Sequence, residues 1–400
     1  MKKQIIGTII FVIVLINCLG SELSAQNSID KKALKISDGS LFQAKQLFPE
    51  FSWKTTPMYY MFGDTNNLLT PEEVEFIAQR TDFLTIEKSH GLKPLGAAEL
   101  GAKHEISAFK KVKPDIKALY YYNSAWAWPF TSYNKNFTSK KIDSDPLLKS
   151  YLVSNPETGE LYTRGKTYGF DVLNPEFRKW WVETVTKGVK TSQSDGVFID
   201  QMHGFFWLRE NKIAVQKAMG LMMADLKKEL GPDKIVIGNN AANKIAQYVF
   251  PSVDAIMFEH HKEKLLSKES LLEDWTHMLR IAQAGKMSIF RIGLEADPFI
   301  KEKPSHRETE KLTQLSKERL EYYHACYLIG AQPYAYFQYG WGWRLSTGSL
   351  VDYPEFQKPL GQPKGAYKRL TSDGWEFTRE FEHASVWVDT EKGKSKIVWK

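Results

Sequence analysis

Short runs of apolar, β-branched and aromatic residues alternate along this chain with stretches whose apolar positions recur at helical spacing. Pro57–Gly63, Phe83–Lys88, Ile116–Asn123, Gly196–Met202, Lys234–Asn239, Ala255–His260, Met287–Leu294 and Gln332–Trp341 are the predicted strands. Between them the pattern predicts helices over Pro71–Arg80, His104–Lys113, Pro175–Gln193, Asn211–Leu230, Ala241–Val249, Leu271–Ala284 and Glu308–Ile329. The punctuation agrees. Thr70 precedes Pro71 as N-cap, Asn174 precedes Pro175, and Gly231, Gly285 and Gly330 follow the ends of the later helices. Eight strands with seven intervening helices imply a (β/α)₈ barrel of the TIM type.

A doubly wound open sheet is the competing α/β arrangement. It needs a glycine-rich phosphate loop after the first strand, and none follows Tyr59-Tyr60-Met61-Phe62-Gly63-Asp64. Within a barrel at 26–350, residues 124–174 after the third strand form a long inserted loop. Residues 351–400 change texture: a Pro/Gly-rich crossing leads into Trp375–Phe381, Ala384–Asp389 and Lys396–Trp399, which alternate apolar and polar positions. These predict a small antiparallel β appendage packed on the barrel wall.

The N-terminus reads Met1-Lys2-Lys3, then an apolar core over Ile5–Ile16, then Leu23-Ser24-Ala25. This is the layout of a secretory signal peptide cleaved near Ala25, and its core is too short for a membrane span. The expectation is an exported protein, periplasmic or extracellular. Lipid attachment at Cys18 is the less favoured alternative, because Asn17 suits that signal poorly. Cleavage leaves Cys326 as the sole cysteine, so no internal disulfide is possible. It also takes the formal charge from +7 to +6 by removing Lys2, Lys3 and Glu22. The remaining basic residues are scattered, which reads as a solvated surface. An anionic polysaccharide is the alternative partner, and nothing suggests nucleic acid.

In such barrels the C-terminal ends of the strands form the reactive face. Polar side chains gather there: Asp64, Glu87, Asn123, Asp200, Asn239 with Asn240, Glu259 with His260, Arg291 and Gln338. Aromatic residues accompany them, with Trp126 and Trp128 after the third strand, Trp207 after the fourth, and Trp341 and Trp343 after the eighth. Indole faces stack on the C–H faces of sugars while amides, imidazoles and carboxylates bind hydroxyls, so this mixture suits a poly- or oligosaccharide. Glycosidic cleavage needs one ionised carboxylate and one protonated acid, and Asp200 with Glu259 is the candidate catalytic pair. Asp64, Glu87, Asn123, Trp126, Trp128, His203, Asn239, His260, Arg291, Gln338, Trp341 and Trp343 are the candidate substrate contacts. Glu295, beyond Gly293, is placed in a solvent loop. No cofactor is called for.

Asp195-Gly196-Val197-Phe198-Ile199-Asp200, Val253–Glu259, and Tyr353–Gly361 followed by Arg379-Glu380-Phe381-Glu382-His383-Ala384 resemble the glycoside-hydrolase-like (β/α)₈ families of secreted bacterial proteins. The strand-four and strand-six acids are also similar in placement to those of the retaining α-galactosidase and α-glucosidase clan. That resemblance implies a nucleophile at Asp200 and an acid/base at Glu259, although the clan usually carries Asp on strand six. Two other readings of the same residues stand beside this one: a glycan-binding barrel without turnover, and a metal-dependent deacetylase or hydrolase using Asp200, His203, Glu259 and the histidines after it. Adjacent His260 and His261 face opposite ways on a strand, which counts against one shared ion.

Overall fold

The computed structural model describes residues 33–241, 246–305 and 307–400, so the expected leader and Cys18 lie outside the described residues. Eight parallel strands form the barrel: β1 Tyr60–Phe62, β2 Phe83–Ile86, β3 Lys117–Asn123, β4 Gly196–Asp200, β5 Ile235–Asn239, β6 Ala255–Glu259, β7 Met287–Ile292 and β8 Ala335–Tyr339. Each pairs with the next in chain order. A parallel bridge between Met58 and Phe337 brings the last strand back to the first, with Tyr59 N–H donating to the Phe337 carbonyl at 2.8 Å.

Helices α1 Pro71–Ala78, α2 Ala98–Val112, α3 Pro175–Ser192, α4 Lys212–Leu230, α5 Ala246–Val249, α6 Lys268–Gln283 and α7 Thr309–Gly330 alternate with the strands. Thr70 and Glu73 close a reciprocal capping box at α1, and Asn174 and Asn211 cap α3 and α4 through their side-chain oxygens. Helix α2 starts six residues before the predicted His104. Its first turns carry Glu99 and Glu105, which a polarity pattern reads as solvent-facing, but both are buried. Glu99 accepts from Ser132 N–H of the insertion at 3.1 Å, and Glu105 accepts from Leu69 N–H at 3.0 Å and pairs with His90 at 2.7 Å. In the span predicted as a helix over Ala241–Val249, only Ala246–Val249 is helical among the described residues, and a 3₁₀ turn comes next. Gly330 belongs to α7 rather than ending it in a left-handed cap. A Cβ there would sit 2.1 Å from the Trp275 ring, so close packing demands the glycine.

Strand periodicity sorts the core into two parts. One face of each strand meets the helices. The other meets the barrel axis, where Tyr59, Met61, Phe83, Leu119, Tyr121, Phe198, Ile235, Ile237, Ala255, Met257, Met287, Ile289, Tyr334 and Tyr336 fill the lower layers. An N-terminal hairpin, Ala33–Lys35 with Leu41–Gln43, joins this inner cluster from below, where Phe42 stacks on Tyr334 with ring centres 4.7 Å apart. Periodicity predicts no strand there, because three-residue strands carry too few alternations to register.

The C-terminal sheet comprises β9 Lys368–Arg369, β10 Glu376–Glu380, β11 Ala384–Asp389 and β12 Lys394–Trp399, all antiparallel. It lies along α7, and buried Arg379 reaches the carbonyls of Leu328, Ile329 and Ala331 at that helix's end. No helix among the described residues is long and apolar enough to cross a membrane.

Candidate active site

On β1 the inward parity ends at Gly63; following it along β2 to β8 to the strand ends reaches Glu87, Asn123, Asp200, Asn239, Glu259, Arg291 and Gln338. These form the uppermost inward layer, resting on the apolar layers below. Asp200 and Glu259 meet there. The Asn239 amide nitrogen donates to Asp200 Oδ1 at 2.8 Å and to Glu259 Oε2 at 2.7 Å. Those two bonds hold the carboxyl oxygens no more than about 5.5 Å apart.

Their surroundings differ. Asp200 Oδ1 also accepts from Gln201 N–H at 2.7 Å, and Oδ2 accepts from the Tyr121 hydroxyl at 2.5 Å. Burial, then the nearby Asp200 and Glu87 charges, push the Tyr121 phenol well above its ordinary range and keep it a donor. All these contacts on Asp200 are donors, the complement of an ionised carboxylate. Gln201 reaches its position with φ of 60°, a left-handed backbone uncommon outside glycine. Glu259 is fixed differently, by Asn240. Its N–H donates to Asn240 Oδ1 at 2.9 Å, while its Oε1 has no hydrogen bond among the described residues and its side chain borders the 110 Å³ hollow beside His260 and Asp274.

Glu87 and Lys88 complete the charged ring. Burial raises the Glu87 pKa while its ion pair with Lys88 opposes the shift. Burial works against the Lys88 charge, but Glu87, Asp200 and Glu259 outweigh it and raise that pKa. The Lys88 ammonium lies 5.3 Å from the ring centres of both Tyr121 and Trp128. The polar strand ends read from sequence include neither Tyr121 nor Lys88. Period-two counting back from Asn123 identifies Tyr121, whereas Lys88 stands beyond its strand and only its neighbour Glu87 signals it. His203 sits near Asp200; burial lowers its pKa against that carboxylate's pull.

A cavity of about 500 Å³ opens over β1, β2 and β8, lined by Asp64, Glu87, Lys88, Trp343 and Arg344. Trp343 covers the Arg291 guanidinium at 4.6 Å. Arg291 is buried. It donates to the His260 carbonyl at 3.0 Å and pairs with Glu295, so Glu295 is bound into the site wall rather than lying in a solvent loop. The Gln338 amide donates to the Met61 carbonyl at 3.0 Å.

Several candidate contacts are committed elsewhere. Asn123 Oδ1 accepts from the N–H groups of Ala125 and Trp126, turning the insertion out of β3. Asp64 organises its own loop by accepting from Asn66 and Asn67. His260 has both ring nitrogens occupied, by the Arg291 carbonyl at 2.8 Å and by Asp274 at 2.7 Å, which leaves none for a ligand. Trp126 and Trp341 are 4% and 2% exposed and pack the loops to the barrel, leaving Trp128 and Trp343 as the half-buried tryptophans of the pair of loops. Among the described residues no group of three or more His, Cys, Asp or Glu side chains is gathered to hold a metal ion.

Solved structures with this architecture include Amy13B from Eubacterium rectale, at TM-score 0.50 and 10% identity over 85% of this chain and 87% of that one. An α-amylase from Geobacillus thermoleovorans, complexed with acarbose, gives TM-score 0.49 and 12% identity over 84% and 87%. The glycoside hydrolase domain of PelA from Pseudomonas aeruginosa gives 0.40 and 13% over 66% and 90%. A comparison with curated proteins gives no match. A family model, described as hypothetical glycosyl hydrolase family 15, matches residues 110–385.

Proposed function

From its membership of hypothetical glycosyl hydrolase family 15, to which this chain belongs, we propose that the protein is a retaining glycoside hydrolase acting on a poly- or oligosaccharide. The observation that carries this reading is the meeting of Asp200 and Glu259 on one amide, within about 5.5 Å. Retaining enzymes hold their carboxyl groups about 5–5.5 Å apart, whereas inverting enzymes leave about 6.5–9.5 Å for a water.

Asp200, surrounded by donors, is the nucleophile. Glu259, with one oxygen free of the chain, is the acid that protonates the leaving oxygen. It then serves as the base that activates water against the glycosyl-enzyme. Trp128, beside Lys88, and Trp343, in the lining of the cavity over β1, β2 and β8, offer stacking faces, and that cavity receives neighbouring sugar units. Export through the N-terminal leader, with cleavage near Ala25, is part of the same reading; recovery of a mature chain beginning near Gln26 outside the cytoplasm tests it.

The activity test is reducing-sugar release across neutral, uronic and sulfated polysaccharides. Asp200→Asn and Glu259→Gln should each lose about 10²–10⁴-fold in kcat while retaining the fold. Proton NMR of the first product should show the anomer of the substrate. Full activity in either variant, or the opposite anomer, refutes the mechanism.

A further inference from the structure

We infer that Asn239 is a positioning residue for the acid pair, its single amide nitrogen setting the distance between Asp200 and Glu259. This rests on the reading of those two residues as nucleophile and acid/base.

An amide nitrogen carries two hydrogens, and here each has a carboxyl acceptor, at 2.8 Å on Asp200 and 2.7 Å on Glu259. The other end of the side chain has nothing to hold it: Asn239 Oδ1 is buried and, among the described residues, without a partner. The carbonyl therefore does not set the amide's orientation; the two acids do. Flipping the amide would turn an oxygen toward two carboxyl oxygens and withdraw the donor they share.

The backbone supports the same arrangement. Asn239 ends β5, between the strands that carry the two acids, in register with Met257 of β6. The next residue, Asn240, takes φ of 51°, donates its N–H to the Met257 carbonyl at 2.8 Å and accepts from Glu259 N–H at 2.9 Å. Two successive asparagines thus fix Glu259, Asn239 at its carboxyl and Asn240 at its backbone, with the Asn240 amide a longer contact of 3.5 Å on the same Oε2.

The charged and titratable groups facing this pair are Glu87 and Lys88 from β2, Tyr121 from β3, His203 after β4, His261 after β6, and Arg291 with Glu295 from β7. None of these groups donates a hydrogen bond to both acids. Without Asn239, two carboxyl groups of like charge would face each other with no shared donor between them, and ionising both would cost more.

The experiment compares Asn239→Ala, the isosteric Asn239→Asp and the amide-conserving Asn239→Gln with wild type, using whichever polysaccharide wild type hydrolyses. For Ala and Asp, kcat should fall about 10²-fold or more while KM changes less than about threefold, since misplacing a reacting group acts on the chemical step. The pH profile of kcat/KM should shift, and Gln should recover part of the rate. A rise in KM with unchanged kcat would make Asn239 a substrate contact, and a wild-type pH profile in both Ala and Asp would also overturn the inference. If wild type cleaves no glycan, the hydrolase reading fails instead; an active wild type with unaffected variants sinks only the role of Asn239.

Discussion

Arg379 supplies the sharpest stability prediction. It is 2% exposed and sits on β10 where the C-terminal sheet crosses the end of α7. Its partners are carbonyls rather than carboxylates. Its Nη1 donates to the carbonyls of Leu328 and Ile329 at 3.0 Å each and of Ala331 at 2.5 Å, and its Nε donates to Gly365 at 3.2 Å. The last carbonyls of a helix have no partners within it, and a cation there also meets the negative end of the helix dipole. Arg379→Met keeps most of the volume but removes the donors for four acceptors. An unsatisfied buried polar group costs about 1–3 kcal/mol. Removing a poorly solvated cation returns part of that, because burial already depresses the Arg379 pKa to about 10. With about 1–2 kcal/mol for each of the four abandoned acceptors and about 3 kcal/mol returned by removing the desolvated cation, the net loss is about 1–5 kcal/mol, roughly one to three orders of magnitude in the unfolding constant. Arg379→Lys should fall between, since one ammonium cannot span both edges of the fork. Urea unfolding followed by tryptophan fluorescence measures both. A loss below about 1 kcal/mol for the Met variant, at unchanged denaturant dependence, would refute the idea that these contacts bind the sheet to the barrel.

Truncation after Leu370 should lower the melting temperature and the solubility, because α7 loses the apolar face of β10–β12; a truncated chain that melts like the full one argues otherwise. Trp128→Ala and Trp343→Ala should raise KM more than they lower kcat, whereas Trp126→Ala and Trp341→Ala should destabilise the fold by about 3–5 kcal/mol; Michaelis constants and unfolding curves separate the two pairs. His324 is fully buried, holds Thr56 at 2.8 Å and has its pKa pushed down to about 3 by burial, with the Lys358 charge adding to the shift. Its folded pKa lies below the unfolded value near 6.5, so the unfolded chain takes up a proton that the native one refuses, and stability is lost as pH falls from about 6.5 toward 3. His324→Phe should flatten that dependence by up to about 1.4 kcal/mol per pH unit, read from urea unfolding at pH 7, 6, 5 and 4.

The strands and most helices are legible in the sequence because a barrel is built from repeated short-range signals: an apolar run, a polar end, a capped helix. The ring of polar strand ends is legible for the same reason, since each strand must stop where its last inward residue meets solvent. The direction each terminal side chain takes, and the path of the loop behind it, carry no such signal. Asn123 and His260 stand at strand ends yet serve the loop behind them, and nothing in their neighbours' identities distinguishes a side chain that turns back to the backbone from one that stays in the mouth. Trp126 and Trp341 illustrate the same gap, because an indole beside the site and an indole beneath a loop have the same sequence context. The buried acids of α2 escape a polarity pattern altogether, their partners lying in the insertion and in the rim loop after β1.

The uppermost inward ring gives the protein two separable sets of positions. Below it, hydrocarbon and aromatic side chains fill the axis and hold the strands in register; at its level, one residue from nearly every strand lines the mouth where we propose that the sugar binds. At Glu87, Asp200 and Glu259 a replacement changes charge or reach without unseating a packed layer, whereas Asn123, Arg291 and Gln338 also hold backbone groups; a replacement below the ring changes stability without altering the polar groups of the mouth. Divergence of substrate preference among barrels of this kind can therefore proceed one strand end at a time, each step tolerated by a scaffold that does not depend on it.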